Sequence, residues 1–329
     1  MNQIIKYIVI VFFAVLWFLG CSKDASKYLF DKKILKDDYR YGDLYRLSNL
    51  RKFRVPVDVC EQKEITDKKP IHLFLAGDSF TEEGRISNEN FVSKSYTRGF
   101  VAQPNQALEL DKQTQNVLIV ETVERHLRER FAQPWRGWDT LHVPNVDVPL
   151  VDEVMNYDMP YNAELEETIF FGSDFMLFFK EIKAWINLNV FNKTDEKVRL
   201  SADGQHLLYY LDVDPGISSG FVPVSDGEID TLVQHANQTY AYYKSLGFDE
   251  VYLSVIPNKS SILGRDLGVY NDLIKRVENH PNLQFPIISI ISEFEKGGAS
   301  VYDVGDTHWN CKGKYIWLDK VNGLLRNLK

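Results

Sequence analysis

A chain of 329 residues with 44% hydrophobic and 26% charged positions is long enough to form one large core or two modest ones. The formal net charge of −8, with Lys and Arg scattered rather than gathered into a stripe, excludes the basic face that a nucleic-acid partner needs. The 13% aromatic content, including 17 Tyr and 6 Trp, suits a sugar-contacting surface, although most aromatic rings in any domain fill its core.

The first 21 residues stand apart. Lys6 precedes an unbroken apolar run from Tyr7 to Gly20, after which come Cys21, Ser22, Lys23 and Asp24. A run of about 14 residues is short against the roughly 20 that span a bilayer and has the length of a signal-peptide core. The small Gly20 before Cys21 is similar to the bacterial lipoprotein cleavage box, with Phe18 where that box has Leu; such a match implies a lipidated Cys21. An uncleaved signal anchor and a buried helix are the alternatives. Lipoprotein or anchor, the segment places the chain in the cell envelope, outside the cytoplasm and held to the membrane. Cys60 and Cys311 then remain, an even number where disulfides are permitted; they either pair or lie apart as buried thiols.

Residues 22–69 are rich in charge and carry no long apolar period, so they read as a tether and an N-terminal arm. The folded body begins near Pro70. Ile71 to Ala76 is a short apolar strand that stops at Gly77-Asp78-Ser79-Phe80. Asn116 to Val120 is a second strand, leading into Glu121-Thr-Val-Glu-Arg125 and a helix. Residues 132–224 break the rhythm with Pro134, Pro144, Pro149, Pro160 and Pro223, a helix-like run from Phe175 to Phe191 and an Asp203-Gly204 hairpin signal. They read as an insertion that caps one side of a site, or as a small second domain. Ser225 and Glu228 have capping-box spacing ahead of a helix with Ile229, Leu232, Val233, Ala236, Tyr240 and Tyr243 on one face. A third strand, Glu250 to Ile256, ends at Pro257-Asn258-Lys259. A helix over Tyr270–Val277, a strand over Pro286–Ile291 and a helix over Gly313–Leu328 complete the chain. Alternating strands and helices predict an α/β fold: a three-layer α/β/α sandwich with a mostly parallel central sheet and an inserted cap region.

Two places carry chemistry. Gly77-Asp78-Ser79 directly follows a strand, and in an open α/β sheet ligands bind beyond the carboxyl ends of the strands. A Ser there can be exposed with its own N–H aimed at an oxyanion, Gly77 allows a tight exit, and Asp78 suits the turn. The bland reading is an ordinary polar turn. The second place is Asp306-Thr307-His308-Trp309-Asn310. A serine hydroxyl needs an imidazole to take its proton and a carboxylate to fix that imidazole's tautomer, and Asp306 and His308, two apart on an extended loop, point the same way. Alone, such a pair is as well explained by a solvated loop or half a metal site. No His/Cys cluster has ligand spacing, so neither metal nor cofactor is expected.

Together these residues resemble the SGNH hydrolase superfamily, in which Gly-Asp-Ser supplies the nucleophile early and an Asp/His pair comes late. The strings Asp306 to Asn310, Glu121 to Arg125 and Ile256 to Lys259 look more specifically like the SGNH-like domain of alginate O-acetylation proteins. In those relatives the Asp-x-His motif can precede the nucleophile; here it follows, as in the wider superfamily and in membrane-bound D-alanine-transfer proteins. The resemblance covers about residues 70–329 and implies an SGNH/flavodoxin-like catalytic domain. It implies Ser79 as nucleophile with His308 and Asp306 as its base pair. The superfamily's oxyanion-hole Asn has no counterpart, which leaves Gly77, Asp78, Gly99 and Thr122 as oxyanion or supporting candidates. Glu121, Arg125 and Lys259, near strand ends, are expected to form a charge network that braces the site or binds an anionic sugar. The implied activity is serine-dependent O-acetyl transfer to a cell-envelope or exported polysaccharide, with a membrane partner as possible acetyl donor. A carbohydrate acetyl esterase and a non-catalytic carbohydrate-binding or assembly lipoprotein are the alternatives.

Overall fold

The computed structural model describes residues 2–21, 28, 38–61, 65–103, 106–107, 109–111, 113–139 and 174–328. Most of residues 22–37, within the tether and arm expected over 22–69, and residues 140–173 of the expected insertion lie outside them. In chain order the main elements are helices α1 (Asn2–Cys21) and α2 (Asp43–Ser48), strands β1 (Lys69–Gly77), β2 (Ser93–Phe100) and β3 (Gln115–Val123), and helices α3 (Glu124–Arg130) and α4 (Asp174–Phe191). There follow strands β4 (Val198–Leu200) and β5 (Leu207–Tyr209), helix α5 (Asp226–Ser245), strand β6 (Glu250–Ile256), and helices α6 (Lys259–Leu263), α7 (Leu273–Glu278), α8 (Ile291–Gly297) and α9 (Cys311–Asn327).

The described residues divide into two compact units. One comprises the described residues up to 56 together with 174–194; the other comprises those of 57–139 and 195–328.

The larger unit is a mixed α/β structure around a four-stranded parallel sheet in the order β2-β1-β3-β6, flanked by helices. β1 is buried from Leu73 to Gly77 because both its faces are covered, which is why Leu73 to Ala76 reads as a continuous apolar run rather than an alternation. Successive residues still point to opposite sides. Phe74, Ala76, Leu118, Val120, Leu253 and Val255 pack with α5 and α7 through Ile229, Leu232, Val233, Ala236 and Ile274. Leu73, Leu75, Val117, Ile119, Tyr252 and Ile256 pack with α9 through Trp317, Leu318, Val321 and Leu325. Trp317 is fully buried and its indole N–H donates to Ser254 Oγ at 2.9 Å; truncating such a ring to Ala destabilises by about 3–5 kcal/mol.

The Ser225 hydroxyl accepts from the Glu228 N–H at 3.1 Å and starts α5. The Asp203-Gly204 hairpin forms, with β4 and β5 antiparallel. Two elements differ from expectation. β2 pairs along β1 although its sequence, SKSYTRGF, has no apolar run: it is an edge strand, covered mainly on one side. The strand expected over Pro286–Ile291 reduces to a single bridge between Leu253 and Ile287. Pro286 has no N–H to donate, and Ile290 leaves the extended region (φ −127°, ψ −2°) to cap α8, so no ladder can build.

The smaller unit contains α1, α2 and α4. Among the described residues no helix is long and apolar enough to cross a membrane. Glu181 of α4 is buried, accepts from the Tyr45 hydroxyl at 2.8 Å and sits 3.5 Å from the Arg54 guanidinium.

Candidate active site

Chain order β1-β2 runs to one side of β1 and β3 lies on the other, so the carboxyl ends of β1 and β3 flank a point where the winding direction reverses, the place where ligand crevices open in such sheets. β1 ends at Gly77 and the chain turns at once. Asp78 caps the 3-10 turn Ser79–Thr81, one carboxylate oxygen accepting from the Phe80 N–H at 3.0 Å and the other from the Val123 N–H at 2.6 Å. The turn is therefore bolted to the end of β3. A Cβ on Gly77 would stand 2.0 Å from Thr81 Oγ1 and 2.9 Å from Glu121 Oε2, so only glycine lets the turn close this tightly.

The second half of the site comes from the loop between α8 and α9. Tyr302 and Trp309 bridge antiparallel, and the Asn310 N–H donates to the Val301 carbonyl at 3.0 Å, which pinches residues 303–308 into a compact loop. Asn310 then starts α9 by accepting from the Lys312 and Gly313 N–H groups. Gly313 admits the close approach this needs, since a Cβ there would lie 2.5 Å from the Val301 carbonyl oxygen. Inside the loop, the buried Lys259 ammonium donates to the carbonyls of Asp303, Val304 and Asp306 at 2.6, 2.9 and 3.0 Å.

These two halves bring three predicted residues into a hydrogen-bonded line. His308 Nε2 is 2.8 Å from Ser79 Oγ, and His308 Nδ1 is 2.5 Å from Asp306 Oδ1, which also accepts from the His308 N–H at 2.8 Å. With Nδ1–H given to the carboxylate, Nε2 presents its lone pair to the serine hydroxyl, as nucleophilic acyl transfer requires. Phe80 braces the imidazole, ring centroids 4.7 Å apart. Burial pushes the Asp306 carboxyl up, but its hydrogen bonds from His308, with the charge of Arg85, outweigh it and hold the group well below its usual range. It stays ionised.

Compared with known families, curated proteins and solved structures, the chain matches none. What the site can do therefore rests on its geometry. Ser79 is the first residue of its turn, so its N–H is one of the donors the turn itself cannot use and is free to face an oxyanion. The other oxyanion candidates are placed differently. The Asp78 N–H already donates to Glu121 Oε2 at 3.0 Å. Gly99 lies on β2 opposite Ala76, and the Thr122 hydroxyl is buried against the Val123 carbonyl; among the described residues no hydrogen bond joins either to Ser79.

Glu121, Arg125 and Lys259 are all buried, each with its own partners. Glu121 lies beneath the nucleophile turn, accepting from the Asp78 N–H and, at 2.8 Å, from the Thr81 hydroxyl. Burial and the neighbouring Asp78 charge push its carboxyl well up, which favours the neutral acid. Arg125 pairs with Asp212 at 3.4 Å, lies over the Tyr209 ring and gives its backbone N–H to Asn258. Lys259 holds the histidine loop.

Three contributors were not read from the sequence. Arg85, whose Nη2 is 3.4 Å from His308 Nδ1, follows the nucleophile turn without any pattern that marks it. Arg98 donates to the Asp78 carbonyl at 2.6 Å from the edge strand that was itself unforeseen. Asp303 accepts from the Asp58 N–H at 3.4 Å, and burial pushes its carboxyl up to about 6. Cys60 and Cys311 form a disulfide, which fastens residues 57–61 to the first residue of α9, three positions after His308. Tyr315 reinforces that attachment by donating to the Glu61 carbonyl at 2.7 Å.

Proposed function

We propose that this protein is a serine acyl-ester enzyme of SGNH type, built on a three-layer α/β/α sandwich, and that it transfers acetyl groups to a cell-envelope or exported polysaccharide. The observation that carries the reading is the Ser79–His308–Asp306 line at the switch point of a parallel sheet. His308 takes the Ser79 proton as Oγ attacks the ester carbonyl of an acetyl donor. The tetrahedral oxyanion faces the Ser79 N–H, the C–O bond to the donor breaks, and His308 returns the proton to the departing alkoxide. A carbohydrate hydroxyl then gives its proton to His308 and attacks the acyl-serine, releasing acetylated sugar and restoring Ser79. If water takes the acceptor's place, the same residues hydrolyse the ester.

Placement in the cell envelope, on the outer side of the cytoplasmic membrane, is part of the proposal. An apolar N-terminal helix ending at Cys21 and a disulfide between Cys60 and Cys311 support it, since disulfides persist in oxidising compartments. A membrane protein supplying activated acetyl groups is the partner this scheme requires if no soluble ester serves.

The test is incubation of the full chain with a chromogenic acetyl ester, with and without an oligosaccharide acceptor. Acetylated sugar identifies the transferase, and acetate alone identifies an esterase. Ser79→Ala is expected to lower turnover by about 10⁴-fold or more and to abolish labelling by a serine-reactive fluorophosphonate. Unchanged turnover and labelling in that variant end the enzymatic reading and leave a carbohydrate-binding or assembly role.

A further inference from the structure

Helix α4 carries large apolar side chains on its solvent-facing side as well as on its inner one. Its buried and half-buried positions include Leu177, Glu181, Ala184 and Leu188, spaced by four, three and four residues and so on one face. That inner face carries a carboxylate, satisfied within the unit by the Tyr45 hydroxyl and the Arg54 guanidinium. The outer face carries Phe178, Ile182, Trp185, Ile186 and Val190, each between 38% and 63% exposed. A contiguous patch of this kind marks an interaction surface. Among the described side chains of the helix the exposed charge is Lys183, a cation whose long stem can lift its ammonium toward a polar boundary.

What covers this face is indicated by its own unit. The same compact unit contains α1, whose Ile4, Ile5, Ile8, Phe12 and Trp17 side chains are likewise exposed. Two helices of one unit thus turn bulky apolar side chains outward while a polar cluster is kept inside, the arrangement expected of a body bathed partly in lipid. An 18-residue helix with Phe and Trp on one face and an isolated Lys among them has the composition of a helix lying in the headgroup boundary.

We propose that α4 is a second membrane-contact element: its face of Phe178, Ile182, Trp185, Ile186 and Val190 lies in the surface of the lipid bilayer to which the N-terminal segment holds the chain. The inference rests on the membrane placement proposed above and is independent of the chemistry at Ser79. It makes the smaller unit a membrane-seated platform rather than a passive tether.

The experiment uses the full chain, reconstituted into vesicles of phosphatidylethanolamine and phosphatidylglycerol. Single cysteines introduced as Ile182→Cys, Ile186→Cys or Val190→Cys are labelled with an environment-sensitive nitrobenzoxadiazole dye. The parent chain, labelled alongside, supplies the background, and Gln238→Cys on the exposed side of α5 supplies the aqueous reference. The expected result is blue-shifted emission at the three α4 positions, quenched by nitroxide-labelled lipid and protected from iodide, with the opposite behaviour at Gln238→Cys. Dye on α4 that iodide quenches freely overturns the proposal. Dye protected from both quenchers also overturns it, since protein rather than lipid then covers the face. Vesicle flotation of the same samples separates the two levels: a chain that fails to float refutes the membrane placement itself, whereas a floating chain with α4 in water refutes this inference alone.

Discussion

Replacing Lys259 by Met tests whether a single buried cation holds the loop that carries Asp306 and His308. The ammonium is 1% exposed and donates to three main-chain carbonyls of residues 303, 304 and 306. Hydrogen bonds from a charged donor are each worth about 1.5–3 kcal/mol, and burying the ammonium offsets several kcal/mol of that sum. Met matches the length of the stem but cannot donate, so three carbonyls lose a partner inside a loop with little room for water. Removing one side of such a buried arrangement is strongly destabilising, about 3–5 kcal/mol. The loop must relax to find other donors, and it carries both Asp306 and His308. A displacement of about 1 Å in a catalytic group can lower the rate about 10²-fold. Urea melts followed by near-ultraviolet circular dichroism give the stability, and ester turnover under conditions where the variant remains folded gives the activity. A Lys259→Met protein that melts with the wild type and turns over ester at the wild-type rate refutes the assignment of Lys259 as the loop's internal brace.

Glu121→Gln is expected to stay within about 1 kcal/mol of wild type at pH 5, because the amide keeps an acceptor for the Asp78 N–H and the Thr81 hydroxyl. A carboxyl with a raised pKa loses native stability as pH rises, so the urea midpoint of Glu121→Gln should move above wild type by pH 8. Glu121→Ala, with both donors orphaned and a void beneath the turn, should lose about 2–4 kcal/mol. Burial pushes the Asp303 carboxyl up to about 6 in the folded chain against its ordinary 3.8, so between those values the native state holds the extra proton and stability falls with rising pH. Asp303→Asn should remove that slope and raise stability at pH 8 by about 1–2 kcal/mol after solvent screening, read from melts at pH 4 and 8. The Cys60–Cys311 bond closes a loop with a sequence separation of 251 residues. Chain entropy for so long a loop gives an upper figure of about 5 kcal/mol, and native disulfides typically contribute 2–5 kcal/mol. Cys60→Ser should lower the midpoint accordingly, and equal midpoints with and without reductant would show the bond to be absent.

The parts of the fold visible in the sequence are those whose local pattern and tertiary role agree. β1, β3 and β6 are buried on both faces and so are continuous apolar runs, and α5 announces itself through Ser225, Glu228 and its periodic core face. β2 was hidden because an edge strand with one covered face needs no apolar run. Pro286–Ile291 misled for the opposite reason: an apolar stretch was present, but a proline at its start and a helix at its end left one bridge. At the site, the approach of Ser79 to His308 and Asp306 could be foreseen because a serine hydroxyl acting as a nucleophile calls for those two residue types beside it. The partners of Glu121, Arg125 and Lys259 were not, since a buried charge can be satisfied by carbonyls or hydroxyls that carry no sequence signal. Whether Cys60 and Cys311 pair depends on how near their Cα atoms come, 5.2 Å, a distance that only the assembled fold sets.

The position of that disulfide has a mechanical consequence. Residue 57 is where the chain enters the larger unit, and Cys60 is covalently joined to the head of α9 a few residues later. Under the membrane placement proposed above, a pull arriving along the chain from its N-terminal side would meet this clamp before it reached β1, whose peeling would carry Ser79 away from His308. Such tension would pass into α9, whose Trp317 and Val321 pack against the sheet, so Ser79 would lie on a segment shielded from it.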